Sequence, residues 1–199
     1  GSGDLGGFDE GHSQYWRGYF VCQELPTDEC VNGWADGNLP QMSTMTWAAN
    51  NEFIRSFYYR AIYQVSLANE FIRQAKTYGK AEYKKLPQYV AEARFLRALA
   101  YWHALDLFGN GIPFVTENDA IGSQLPKPAG SARGPELFNY IENELLEIVG
   151  DKGDGTYKLL PAATGLIGQA NQGAAWALLA KLYLNHKSYL GTENKDYYQ

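Results

Sequence analysis

Apolar residues recur every three or four positions along several stretches of the chain and alternate over no stretch longer than a few residues. That pattern predicts helices and no sheet, because a helix presents one face every 3.6 residues and a strand every two. The strongest stripe is Phe53, Phe57, Ala61, Val65, Ala68, Ile72 and Ala75, and it predicts a helix ending near Gly79, where a missing Cβ suits a C-cap. A second long helix follows Pro87. It places Ala93, Leu96, Ala100, His103 and Leu107 on one face, widened by Phe95, Leu99 and Trp102, and stops at Gly109 and Pro113. Pro135 in a first turn and Glu136 against the helix dipole open a third, with Leu137, Ile141, Leu145 and Ile148 inward and Gly150 at its end. The last begins near Asn171, a suitable N-cap, and carries Ala175, Leu178 and Leu182, reaching toward Asn185.

A shorter helix is expected between Gly11 and Pro26, from Tyr15, Tyr19 and Cys22 with Trp16 and Phe20 beside them. From Val31 to Asn51 the periodicity dissolves into Asn32-Gly33, Asp36-Gly37-Asn38 and Leu39-Pro40, so residues 31–51 read as a long loop carrying Trp34 and Trp47. Residues 109–133 read as a connector and Asp151 to Gly155 as a turn. The expected fold class is all-α: antiparallel helix pairs with long irregular loops, one helical domain over residues 1–199. The Ala-rich helices Ala91 to Phe108 and Gly173 to Asn185 interleave small and large residues, as tetratricopeptide-type helices do.

Composition narrows the partners. Seventeen Lys and Arg against 22 Asp and Glu give a net charge of −5, which opposes the phosphate attraction that dominates nucleic-acid binding. No nucleic-acid partner is expected. No apolar run approaches the roughly 20 residues of a membrane span; Trp176 to Leu184 is interrupted by Lys181. Cys22 and Cys30 match no metal-ligand spacing and read as two unpaired thiols in preference to one short bridge.

The segment Ala91-Glu92-Ala93-Arg94-Phe95-Leu96-Arg97-Ala98-Leu99-Ala100-Tyr101-Trp102, continuing through Leu107-Phe108-Gly109 to Ile112-Pro113-Phe114-Val115-Thr116-Glu117, resembles the SusD/RagB family. Three further stretches agree in order and spacing: Gln23 to Glu29 leading into a Trp-bearing loop, Tyr63 to Asn69 in a helix, and Gly173 to Leu184. The resemblance implies a tetratricopeptide-like fold and a lipid-anchored protein of the outer-membrane surface. Such a protein captures an oligosaccharide or other polymeric nutrient for a SusC-like TonB-dependent transporter. It also implies that this chain is a fragment of a larger protein, lacking the lipidated cysteine through which membrane contact would be made and the large C-terminal half.

The candidate ligand residues are Trp34, Asp36, Asn38 and Trp47. A sugar offers CH-rich faces to an indole and hydroxyl edges to amide and carboxylate groups, and these types cluster on the loop. The competing reading, which weighs more heavily for Trp47, is that the two indoles pin the loop to the helical core. Asp28 and Glu29 beside Thr27 offer too few oxygens for calcium and read as a helix-end or surface pair. Glu142, Glu144 and Glu147 read as the solvated side of a helix, so no catalytic residue, metal or cofactor is assigned. His12, His103 and His186 fit no metal signature, and His103 reads as a hydrogen-bonded core residue. Arg94 and Arg97, three apart, read as structural, with Glu92 as a pairing partner. Two other functions remain in view: a tetratricopeptide-like scaffold binding peptides or proteins on concave helix faces, and an all-helical glycoside hydrolase needing paired acids in one cleft.

Overall fold

The stripe from Phe53 to Ile72 is buried along its length, with Phe53, Phe57, Ala61, Val65, Ala68 and Ile72 each nearly inaccessible to solvent. The computed structural model describes residues 11–35, 37–109, 111–112, 114–119, 135–164 and 166–198. Its helices are α1 (Tyr15–Glu24), α2 (Leu39–Ser43), α3 (Glu52–Tyr78), α4 (Leu86–Phe108), α5 (Glu136–Val149), α6 (Gln172–Leu184) and α7 (His186–Leu190), followed by a 3-10 turn over Lys195–Tyr198. Every regular element among the described residues is helical, as the periodicity predicts. The expected punctuation is also present. Gly150 adopts the left-handed conformation that closes α5, and the Asn171 side chain accepts from the Ala174 N–H at 3.0 Å to cap α6.

The chain divides into two compact units within α3, between Tyr63 and Gln64. In the first, α1 lies on α3 at a point where a Cβ on Gly18 would come 3.2 Å from the Phe57 Cβ, so glycine permits the approach. The Tyr15 and Tyr19 rings close around Phe57 at 5.2 and 5.8 Å. Val21, Leu25, Leu39, Met42 and Phe53 form the core of this unit, and Cys22 and Cys30 pack against it as free thiols. Thr27 closes the end of α1, its hydroxyl donating to the Glu24 carbonyl at 2.6 Å and accepting from the Glu29 N–H at 3.2 Å.

In the second unit α4 packs on α5 and α5 on α6. Here one expectation is overturned. Leu96, placed on the inner face by periodicity, is 44% exposed, whereas its neighbour Arg97 is 1% exposed. α4 buries residues around most of its circumference, including Val90, Phe95, Ala98, Tyr101, Trp102 and Leu105. Hydrophobic spacing on such a helix no longer singles out a face. His103 is buried as expected. The connector is held at Val115 by the Tyr101 hydroxyl, which donates to its carbonyl at 2.6 Å and accepts from its N–H at 2.9 Å. Pro113 and most of the predicted connector, residues 120–133, lie outside the described residues.

Candidate functional site

Within residues 31–51 the structure inserts α2, whose Leu39 and Met42 enter the core of the first unit. The short helix is anchored from the start of α3. Asn51, fully buried, caps α3 by accepting from the Phe53 N–H at 3.0 Å, and its amide donates to the Asn38 carbonyl at 3.1 Å and to Gln41 Oε1 at 3.0 Å. Glu52 accepts from the Asn38 N–H at 3.4 Å. Gly37 has φ of +51°, and its missing Cβ leaves room for the Glu52 carboxylate, so both conformation and space demand glycine.

Trp34 and Trp47 flank this anchored point and point outward, 67% and 41% exposed. Asn32 brackets Trp34: its Oδ1 accepts from the Trp34 N–H at 3.0 Å and its Nδ2 donates to the Trp34 carbonyl at 2.5 Å. Among the described residues neither indole stacks on another ring. Asn38 sits at the N-cap position of α2, half-buried, with its backbone committed to Asn51 and Glu52. Asp36 lies outside the described residues. The arrangement offers open indole faces on a backbone held from below, suited to packing against the CH-rich face of a ligand.

A second constellation, in the other unit, was not legible as a cluster. Arg97 donates to Asn69 Oδ1 at 2.6 Å, Glu117 Oε2 at 2.6 Å and Glu144 Oε2 at 2.7 Å. Arg94 grips Glu144 through Nε at 3.1 Å and Nη2 at 2.6 Å and reaches Glu147 at 2.6 Å, while Lys76 meets Glu117 at 2.6 Å. The expectation of a solvated carboxylate face is therefore corrected. Glu144 is 8% exposed, because the two arginines draw it inward, and Glu142 accepts from the Tyr183 hydroxyl at 2.9 Å. The arginines are structural as expected, though their partners come from α5 and the connector, and Glu92 pairs instead with Gln88 and Gln169. Burial alone would raise the Glu117 carboxyl, but hydrogen bonds from Lys76 and Arg97 outweigh it and pull the pKa down to about 2.

Of these side chains Lys76, Arg94, Glu117, Glu144 and Glu147 line a cleft of about 530 Å³, together with Ile72, Val90, Lys152, Asp154 and Tyr157. Both Glu144 oxygens are already bonded to guanidinium groups, and Glu117 and Glu147 each face a cation. The chemistry of the cleft is thus internal charge pairing. The sequence signal was two arginines within an Ala- and aromatic-rich stretch of α4, which need buried acids to sit beside such neighbours.

Comparison with known proteins follows the same segments. A SusD-like family model, described as starch-binding associating with outer membrane, matches residues 21–184. The starch-binding protein SusD of Bacteroides thetaiotaomicron is 39% identical over 192 residues, 96% of this chain and 32% of that protein. A SusD-like protein of Bacteroides ovatus is 26% identical over 161 residues, 80% of this chain and 27% of that protein. The chain thus spans about a third or less of the length of these relatives. A match that runs from α1 to the end of α6, taking in the Trp-bearing segment and both Ala-rich helices, establishes that the chain belongs to the SusD-like family.

Proposed function

We propose that the chain supplies one part of the ligand-binding surface of a cell-surface glycan-binding protein. In this reading it captures an oligosaccharide of the starch class at the outer membrane and passes it to a partner TonB-dependent transporter, catalysing no reaction. The observation that carries the proposal is the exposure of Trp34 and Trp47 on a segment anchored by Asn51 and Glu52. The name of the Bacteroides thetaiotaomicron relative and the description of the family support the substrate class. A lipid anchor and tetratricopeptide-like helix pairing complete the picture as family expectations.

The test is calorimetric titration of maltoheptaose into the full-length protein and its Trp34→Ala variant. Loss of an aromatic platform costs about 2 kcal/mol at a binding hot spot, roughly thirtyfold in the dissociation constant. Unchanged affinity accompanied by a lower thermal midpoint would make Trp34 a structural residue and sink the reading. Release of reducing sugar by the purified protein would overturn the absence of catalysis.

A further inference from the structure

We propose that Asn32 is a positioning residue for ligand binding: its carboxamide closes two hydrogen bonds on the Trp34 peptide and holds the indole in the orientation that receives the ligand. The inference rests on the reading of Trp34 as a ligand platform, and goes beyond it in naming what makes the platform work.

Gly33 separates Asn32 from Trp34, has nothing within 4 Å of where its Cβ would be, and has a φ outside the left-handed region. A glycine in open space gives the chain its widest range of conformations, and here it does so next to the indole. An exposed aromatic on such a segment must be ordered when it binds. Fixing the backbone of a single residue corresponds to about a five- to thirtyfold loss in affinity. Asn32 removes that freedom before the ligand arrives. Its Oδ1 takes the Trp34 N–H and its Nδ2 gives to the Trp34 carbonyl, so both polar groups of one peptide residue are held by one side chain. The ring so formed encloses Gly33. Downstream, the next fixed point is Asn38, whose N–H and carbonyl are held by Glu52 and Asn51. Trp34 therefore lies between two clamps, and the upstream one is local and solvent-facing.

That geometry separates positioning from folding. Both Asn32 bonds span two residues and are exposed, so their loss leaves the core of Val21, Leu25, Leu39, Met42 and Phe53 untouched. Asn32→Ala in the full-length protein is expected to weaken maltoheptaose about tenfold with an unchanged thermal midpoint. Asn32→Asp, which retains the acceptor for the Trp34 N–H, should fall between wild type and Asn32→Ala. The decisive variant is the double substitution Asn32→Ala with Gly33→Ala. Alanine fits at position 33 and narrows the backbone by itself, so it should restore about threefold of the lost affinity without restoring any carboxamide.

Wild-type affinity in Asn32→Ala, with Trp34→Ala weakened, would leave the platform standing and overturn the positioning role. A double variant as weak as Asn32→Ala would also overturn it, because the loss would then come from a direct contact between the carboxamide and the sugar. Wild-type affinity in Trp34→Ala would remove the platform itself, and the positioning role with it.

Discussion

Replacing Arg97 by methionine keeps a long, flexible side chain in the second unit but withdraws one charge from its centre. In the native protein Lys76, Arg94 and Arg97 face Glu117, Glu144 and Glu147, three charges of each sign. Without Arg97 the cluster carries one uncompensated negative charge, and Asn69, Glu117 and Glu144 each lose a hydrogen bond of 2.6 or 2.7 Å. Breaking a buried ion pair from one side costs about 3 to 5 kcal/mol. The lower end applies here, since Glu117 keeps Lys76 and Glu144 keeps Arg94. With a urea m-value of about 2 kcal/mol/M, a loss of about 3 kcal/mol moves the midpoint by about 1.5 M, followed by circular dichroism at the helix minimum. Adding Glu117→Gln to the variant should recover about 1 kcal/mol, because it removes the excess charge. A midpoint shift below about 0.3 M in Arg97→Met would contradict a buried, ion-paired Arg97. It would mean that the arginine reaches water, or that the three acids tolerate its absence.

Leu96→Ala should cost less than about 1 kcal/mol, since Leu96 is 44% exposed, whereas Leu145→Ala, wholly buried, should cost about 2 to 5 kcal/mol; equal losses in urea denaturation would contradict the placement of α4. Acid should destabilise the protein in two overlapping stages. Burial, with help from Lys181 and against Asp106, holds the His103 pKa down at about 4, so its contribution is present above pH 6.5 and is lost as the pH falls toward 4. The Glu117 carboxyl, held at about 2, contributes above pH 4.5 and loses that contribution as the pH falls toward 2. His103→Gln should flatten the first stage in a series of thermal midpoints against pH and leave the second in place; an unaltered profile would exclude His103 as its source.

The helices were legible because most of them follow one dominant rule. α3 buries the residues its spacing selects, and α6 starts at the residue whose side chain can cap it. α4 departs from the rule for a reason periodicity does not contain. Arg97 turns inward because Asn69, Glu117 and Glu144 wait there, on three other segments, and Leu96 is displaced to the surface as a result. A hydrophobic pattern treats every charge as outward-facing, and a charge whose partners are 20 to 47 residues away defeats it. The same limit explains Glu144, read as solvated from its own helix alone. In the Trp-bearing segment the turn residues were visible, but α2 was not. Five residues containing Leu39 and Met42 carry too little periodicity to stand out, and the core contacts that hold them belong to α1 and α3. Asn32 was seen as a turn former, and its grip on Trp34 needed the bond geometry.

Asn51 ties two events together that are usually separate. The first turn of a helix ordinarily frays on its own, opening its leading amides to solvent without disturbing anything nearby. Here the carboxamide that holds the Phe53 amide also holds the Asn38 carbonyl and Gln41, so releasing one end loosens the other. Fraying of α3 and loosening of the Trp-bearing segment at Asn38 are thereby coupled through one side chain. Hydrogen exchange at the Phe53 amide then serves as a gauge of how often the segment lets go at Asn38, and any ligand that steadies the segment will slow that one proton.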